Sequence, residues 1–304
     1  MTVVAFFADA NVLPALHVAL ASTLANWKQH GPLSIDLLHH DISTRDLALL
    51  DETVARSAKP ARWRRRAFDP SRVAKWRSLY GSPMPYGRLF LADLIPDERH
   101  AIYLDVDVIV ELDVNDLPPP PQDGLLAAMP AWDFEHSHDA ALAQQLGIAG
   151  SDLYFHSGFL LWNLEVCRRE TVVQQFVEFG DRHAQQLFSH DQTILNFVCK
   201  GRIASIPPAL TSHLYPTNAR RPEGTQTIQN FCGAPKPFDL FGNALNDHYA
   251  LFKSWIDRTA LRGWSPNEIG QFARVSRNVR LLRPMIATAA KMLLRRVRGQ
   301  KRSK

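Results

Sequence analysis

The chain has 304 residues, 46% of them apolar, and a formal net charge of +5. That is enough to bury one full α/β core, while the lack of any apolar run near about 18 residues argues against a spanning helix. Of the 35 Lys and Arg and 30 acids, Arg262 to Lys304 holds 12 basic residues and one acid, so this tail carries +11 and the mildly acidic remainder −6, a balance that argues against nucleic-acid binding by the body.

The opening MTVVAFFADAN lacks a basic leader and a small-residue cleavage pattern. Val3 to Ala8 is therefore expected as a buried strand ending at Asp9-Ala10-Asn11. Leu13 to Trp27 follows with helical spacing at Leu16, Leu20, Leu24 and Trp27. Leu33 to His40 reads as a second strand, and Ser43 or Thr44 as the cap of a helix through Leu47, Leu50 and Val54. This alternation predicts a parallel sheet wrapped by helices, with ligands at the carboxyl ends of the strands.

Ala61 to Arg77 interleaves Arg62, Arg64, Arg65, Arg66, Arg72, Lys75 and Arg77 with Trp63 and Trp76, as a solvated edge or a contact for an anionic acceptor. Tyr86 to Asp93 is expected as a helix in which Arg88 sits among apolar residues. A guanidinium held there needs an anionic partner, or else makes a surface salt bridge.

Ala101 to Val110, AIYLDVDVIV, is the stretch around which the chain is organised. A two-residue period sends Asp105 and Asp107 to one face at a strand end and Val106 to the other. Two carboxylates so close suit a hard cation carrying phosphate oxygens, magnesium or manganese; the alternative is a solvated turn.

Pro118 to Pro121 punctuates the chain, and Gly124 to Met129 is expected as a short strand. Ala131 to Gly150, with His136 and His138 among acids, reads as a solvated loop or lid. Tyr154 to Leu164 is an apolar strand carrying His156, Gly158 and Asn163, in which Gly158 marks a close backbone approach to a ligand. Ser189 to Val198 starts a helix whose first turn offers His190, Asp191 and Gln192, and Asp191 reads equally as a cap. Pro207, Pro208 and Pro216 predict a long irregular stretch before NFCGAPKPF, which mounts Lys236 between two prolines. Cys167, Cys199 and Cys232 have no pairing or metal spacing and read as reduced thiols of a cytoplasm-like compartment.

From about Val3 to Phe238 these stretches together resemble the retaining glycosyltransferases of family 8, the group of bacterial lipooligosaccharide α-galactosyltransferases and glycogenin. AFFADAN resembles the first strand and nucleotide loop, YGRL the Y-x-R-L segment and YLDVDVIV the metal motif. FHSGFLLWNL is similar to F-N-x-G-x-x-x-x-N, HDQTILN to D-Q-x-x-L-N, and NFCGAPKPF to H-x-x-G-x-x-K-P-W. The resemblance implies a GT-A type fold, a Rossmann-like mixed sheet flanked by helices, that binds a UDP-sugar with manganese or magnesium on Asp105 and Asp107. It places Asp9 and Asn11 at the uridine, Arg88 and Asp191 at the donor sugar, Lys236 at the diphosphate, and Gln192 near the anomeric carbon with Asp191 as its catalytic companion. Ala8, Val106, His156 and Gly233 complete the implied donor set. Two positions depart from the pattern: His156 stands for Asn, and Asn230 for the His that completes the metal site. An Asn carbonyl ligates a hard cation, though more weakly than imidazole holds manganese.

The expected organisation is a catalytic unit over 1–261 and a basic segment over 262–304. Arg277, Arg280, Lys291, Arg295, Arg298 and Arg302 fall on one helical stripe, with Leu282, Ile286, Ala289, Leu293 and Val297 roughly opposite. A basic amphipathic helix suits an anionic membrane surface, here the cytoplasmic face, and the alternatives are a disordered or nucleic-acid-binding tail. The saccharide or glycolipid acceptor is not readable from the residues. Competing readings of the whole chain are a magnesium phosphatase with Asp105 as nucleophile and an inactive, membrane-associated sugar-binding relative.

Overall fold

The computed structural model describes residues 2–29, 31–79, 82–218, 226–267, 279 and 281–292. In chain order its first half comprises β1 (Thr2–Ala8), α1 (Leu13–Ala25), β2 (Leu33–His39), α2 (Thr44–Arg56), β3 (Ala61–Ala67), α3 (Leu91–Leu94), β4 (His100–Leu104) and β5 (Val108–Val110). There follow β6 (Leu126–Asp133), α4 (Ala140–Gln145), β7 (Leu153–Asn163), α5 (Leu164–Arg169), α6 (Val172–Arg182) and α7 (Asp191–Val198). The chain then runs through β8 (Ile203–Ser205), β9 (Thr211–Leu214), β10 (Ile228–Phe231), α8 (Gly242–Leu245) and α9 (Tyr249–Ile256).

Alternation along β1 feeds two cores at once. Val4, Phe6 and Ala8 join α1 in one, while Val3, Ala5 and Phe7 join Tyr86, Leu89 and Phe90 in the other. Twelve of the 13 residues of α1 are buried, because α2, α9 and β5 close around it. The N-cap of α2 is Ser43, whose hydroxyl accepts from the Asp46 amide at 3.1 Å.

The main sheet has the order β3-β2-β1-β4-β7-β6-β8. Its first four strands are parallel, as the helix-strand alternation predicts, but β7 runs antiparallel to both β4 and β6. The sheet is thus mixed, as the resemblance implies: β7 follows β6 after a short excursion through α4 and turns back beside it. A second sheet, β5-β10-β9, occupies what the prolines made look irregular. Its strands are three or four residues long, too short for a periodic signal.

Other boundaries also move. The segment expected as a helix over Tyr86 to Asp93 is a tighter 3₁₀ turn, Met84–Phe90, followed by α3. A Cβ on Gly87 would stand 2.1 Å from the Phe7 ring, so the turn is pressed onto β1. β6 runs on to Asp133 through irregular pairing at Pro130, taking in residues expected to be loop. The arginine-rich stretch forms the edge strand β3, where Arg64 pairs with Asp36 and Glu98, Arg66 with Asp36 and Arg65 with Asp51. Charge on an edge strand guards against further strand pairing.

In the tail, Leu281 and Met285 are buried while Leu282 and Ile286 are exposed. Helical residues 281–292 thus dock through Leu281 and Met285 and leave Leu282 and Ile286 of the apolar stripe exposed. Thr288 Oγ1 donates to the Ala234 carbonyl at 2.7 Å, fastening this helix to the loop that carries Lys236. Arg277, Arg280, Leu293, Arg295, Val297, Arg298 and Arg302 lie outside the described residues.

Candidate active site

Asp105 and Asp107 stand between the two sheets. β4 ends at Leu104 and β5 begins at Val108, so the two acids lie in the connection between strands rather than on one strand face as expected. The Asp105 amide donates to the Gly158 carbonyl at 2.8 Å on β7, while the Asp107 carbonyl accepts from the Phe231 amide at 2.9 Å on β10. One carboxylate thus hangs from the large sheet and the other from the small one, with Val106 between them buried in the core.

Both acids line a cavity of about 150 Å³ with Asp9, Asn11, Arg88 and Lys236. Asp9 leaves the end of β1, where its carboxylate accepts from the Asn11 amide at 2.9 Å and the Ser82 hydroxyl at 2.6 Å. The Asn11 side-chain oxygen is buried with no hydrogen-bond partner. An orphaned acceptor beneath an open cleft suits a ligand N–H. Ala8, one residue earlier, is packed in the core, and its carbonyl accepts from His40.

Arg88 is 6% exposed and reaches every neighbour that could hold it. Its guanidinium lies 2.9 Å from Asp105 Oδ1 and 3.2 Å from Asp191 Oδ2, donates to the Ser157 carbonyl at 2.6 Å, and sits 4.5 Å over the Tyr103 ring. Two carboxylates offset the desolvation of one buried cation. Asp191 is therefore an ion-pair partner rather than the helix cap its position suggested; the residue at the cap is His190, with φ of 58°. Such a conformation in a non-glycine residue stores roughly 1–3 kcal/mol of strain at the point where the helix bearing Asp191 and Gln192 begins.

Burial pushes the Asp105 carboxyl up to about 6; Arg88 opposes the shift and Asp107 adds to it. Tyr103 donates to Asp105 Oδ1 at 2.6 Å. Lys236, from the loop after β10, forms an ion pair with Asp107. Asp107 Oδ1 is buried and has no hydrogen-bond partner. Among the described residues no three His, Cys, Asp or Glu side chains gather into a metal cluster. The oxygens of Asp105 and Asp107, with the Asn230 amide beside Gly158, form a hard donor set that fits manganese or magnesium.

Gly158 makes the crowding possible, since a Cβ there would lie 2.7 Å from Asp105 Oδ2 and 3.4 Å from Asn230 Nδ2. The close approach expected at this glycine is thus to the acid itself. Gln192 Oε1 accepts from the Ser157 amide at 3.1 Å, and Gln192 shares a hydrogen bond with His156. Burial lowers the His156 pKa to about 4, keeping the ring neutral. Gly233, at φ of 69°, begins the loop that leads to Lys236. His136 and Asp133 form an exposed pair, and His136 lines neither this cavity nor the smaller one beyond Asp105.

Sequence reasoning missed Tyr103 and Ser157, which orient Asp105 and Arg88. Tyr103 was within reach, lying two residues before Asp105 on the same strand face.

Comparison with known proteins gives the same picture. The chain is 23% identical to General stress protein A of Bacillus subtilis strain 168 over 256 residues, covering 76% of this chain and 85% of that protein. It is 29% identical over 127 residues to a putative glycosyltransferase of Haemophilus influenzae, spanning 42% of this chain and 38% of the other. The structure of galactosyltransferase LgtC with donor and acceptor sugar analogs superposes with a TM-score of 0.69 at 23% identity, over 85% of this chain and 96% of that one, so the fold is of GT-A type. The model of Glycosyl transferase family 8 matches residues 3–237, and with the mixed sheet and the acid-lined cleft beneath it, this chain belongs to that family.

Proposed function

We propose that this glycosyltransferase moves a hexose, galactose or glucose, from a UDP-sugar to a saccharide acceptor with retention of configuration, in the synthesis of lipopolysaccharide or another cell-surface glycan. The observation that carries this reading is the convergence of Arg88, Asp105, Asp107 and Lys236 on one cleft, with Asp191 paired to Arg88 behind it. A phosphatase acting through Asp105 would leave Arg88, Asp191 and Lys236 without a role.

Asp9 and Asn11 receive the uridine, the orphaned Asn11 oxygen accepting a base N–H. Asp105 and Asp107 hold the divalent ion, with Asn230 as a third oxygen ligand. Once bound, that ion neutralises charge on the departing diphosphate. Lys236 exchanges Asp107 for a phosphate oxygen and adds a second positive charge there. Arg88 keeps Asp105 and Asp191 oriented toward the sugar, and Gln192 lies beside the anomeric carbon. The bond from that carbon to the diphosphate oxygen breaks, a bond to the acceptor oxygen forms, and UDP and a proton are released.

The tail supports a place at the membrane surface. Among the described residues no helix is long and apolar enough to cross a membrane. Exposed Val279, Leu282 and Ile286 lie within a segment carrying +11, a combination suited to the anionic inner leaflet of the cytoplasmic membrane.

Calorimetric titration of UDP with manganese, with magnesium and with chelator tests the donor site. Binding that needs the ion and is lost in the Asp105→Asn, Asp107→Asn double variant is the expected result. Binding that ignores both overturns the assignment of the ion to these acids, and no binding under any condition overturns the donor.

A further inference from the structure

The stretch from Ala131 to Gly150, expected as a solvated loop, hides an acid for which the donor site has no use. Asp139 is fully buried, and among the described residues no cation forms an ion pair with it. His190, which feels its charge, is kept neutral by burial. Asp139 stands at the N-cap of α4, yet its side chain does not cap that helix. The carboxylate turns toward α7 instead: Tyr154 donates its hydroxyl proton to Oδ2, and Thr193 Oγ1 donates to Oδ1 at 3.1 Å. A carboxylate held by two hydroxyls with no counter-charge is costly, and a neutral side chain of the same shape would be cheaper. The charge itself is what needs a reason.

Both donors lead to the turn that carries Gln192. Thr193 Oγ1 accepts from the Ser189 amide at 3.0 Å, across the turn in which His190 takes its φ of 58°. The Tyr154 hydroxyl meets the side chains of Ser189 and Gln192 as well as Asp139, and burial together with Asp139 raises its pKa, so it keeps its proton. That one proton goes to Asp139, which leaves the Tyr154 oxygen only able to accept, and the Gln192 atom that donates to it is Nε2. The other end of the same amide agrees, because Gln192 Oε1 accepts from the Ser157 amide at 3.1 Å.

We propose that Asp139 is a positioning residue for Gln192, acting through Tyr154: the buried carboxylate fixes the direction of the hydrogen-bond chain from Gln192 Nε2 to Tyr154 to Asp139, and so fixes which way the Gln192 amide is turned. The inference rests on the placing of Gln192 beside the anomeric carbon and goes beyond it by naming the residues that set the orientation of its amide. An amide turned one way offers the reacting carbon an oxygen, and turned the other way an N–H. Positive charge develops at that carbon as its bond to the diphosphate breaks, so the oxygen helps and the N–H opposes. A neutral group at 139 that both donates and accepts would let the chain run in either direction. A carboxylate only accepts, and its charge also polarises each bond along the chain, which strengthens the Gln192 oxygen as an electron donor.

Hydrolysis of UDP-galactose and UDP-glucose by the full chain with manganese tests this, in Asp139→Asn, Tyr154→Phe, Gln192→Ala and the two double variants with Gln192→Ala. Asparagine keeps the shape of Asp139, removes the charge and adds a competing N–H. Asp139→Asn and Tyr154→Phe should each lower kcat roughly tenfold while KM and UDP affinity stay within about twofold, and neither should lower kcat further once Gln192 is alanine. Losses that multiply with that of Gln192→Ala overturn the proposal, as do losses confined to KM and UDP affinity or an unchanged kcat in a folded variant. Should one of the two variants fail to fold, the other decides. A second measurement needs no turnover: the Gln192 side-chain amide signal in a proton–nitrogen correlation spectrum, identified by its loss in Gln192→Ala, should shift in Asp139→Asn and in Tyr154→Phe. A signal that stays in place in either folded variant overturns the relay. If the wild-type chain binds no UDP while the amide signal moves as expected, the donor reading fails and the positioning of Gln192 stands.

Discussion

Gly158→Ala places one methyl group where the site has no room for it. The new carbon would stand 2.7 Å from Asp105 Oδ2, roughly 0.7 Å inside ordinary van der Waals contact, and 3.4 Å from Asn230 Nδ2. Asp105 cannot swing aside freely, because Oδ1 is held by Tyr103 at 2.6 Å and by Arg88 at 2.9 Å. Either those contacts stretch or β7 moves away from β4. Overpacking of this kind costs about 1–3 kcal/mol. For a chain of this length that is a fall in Tm of about 2–5 °C. The functional loss should be larger in proportion, since the proposed function makes the displaced oxygen a ligand: manganese affinity in the presence of UDP should drop about 10–100-fold. Differential scanning calorimetry and manganese titration followed by electron paramagnetic resonance read the two effects separately. Unchanged manganese and UDP binding in a folded Gly158→Ala protein would refute the crowded geometry and with it the placing of Asp105 at the ion.

Three further outcomes are expected. His17 is buried against Thr53, with Nδ1 and Oγ1 2.6 Å apart, and burial lowers its pKa from 6.5 to about 3. The unfolded chain takes up the proton first, so stability should fall as the pH drops below 6.5, by about 1.4 kcal/mol per pH unit until near 3. Urea midpoints at pH 7, 6 and 5 should converge between wild type and His17→Gln, and parallel curves would sink the idea. Lys236→Met frees Asp107 from its ion pair, so manganese should bind the nucleotide-free protein roughly 5–10-fold more tightly while UDP binds more weakly. Titrations with and without UDP give both values, and a loss of manganese affinity without nucleotide would contradict the pairing. Leu282→Ser with Ile286→Ser, both exposed, should lower sedimentation with vesicles rich in anionic lipid while leaving Tm within about 1 °C; sedimentation equal to wild type would remove these residues from the membrane contact.

The first strands, α1, α2 with its Ser43 cap and the long β7 were legible because apolar periodicity over seven or more residues leaves one packing choice. The pairing of Arg88 with an acid was legible for a related reason: a guanidinium in apolar sequence has few places to go. The small sheet was not. β5, β9 and β10 are held by register with one another rather than by their own periodicity, so only tertiary pairing reveals them. The same limit hid the packing of His156 against His213, which come from strands of different sheets. Asp191 shows another limit: a first-turn acid reads as a cap by position, and only the resemblance set it beside Arg88, 103 residues earlier in the chain. In the tail, helical periodicity found the apolar side bearing Leu282 and Ile286, but not the packing of Leu281 and Met285 or the bond from Thr288 to Ala234 that fastens the helix to the body.

That Asp105 is suspended from β7 and Asp107 from β10 gives the acid pair a mechanical meaning. The spacing of the two carboxylates is a gauge of how the small sheet is seated on the large one. An ion gripping both acids is a rivet through that seam, so occupancy at the cleft should slow hydrogen exchange along β9 and β10, well away from any atom the donor touches. Conversely, anything that tilts the small sheet, including a pull on the loop to which the tail helix is fastened, retunes the grip on the ion without altering a single ligand.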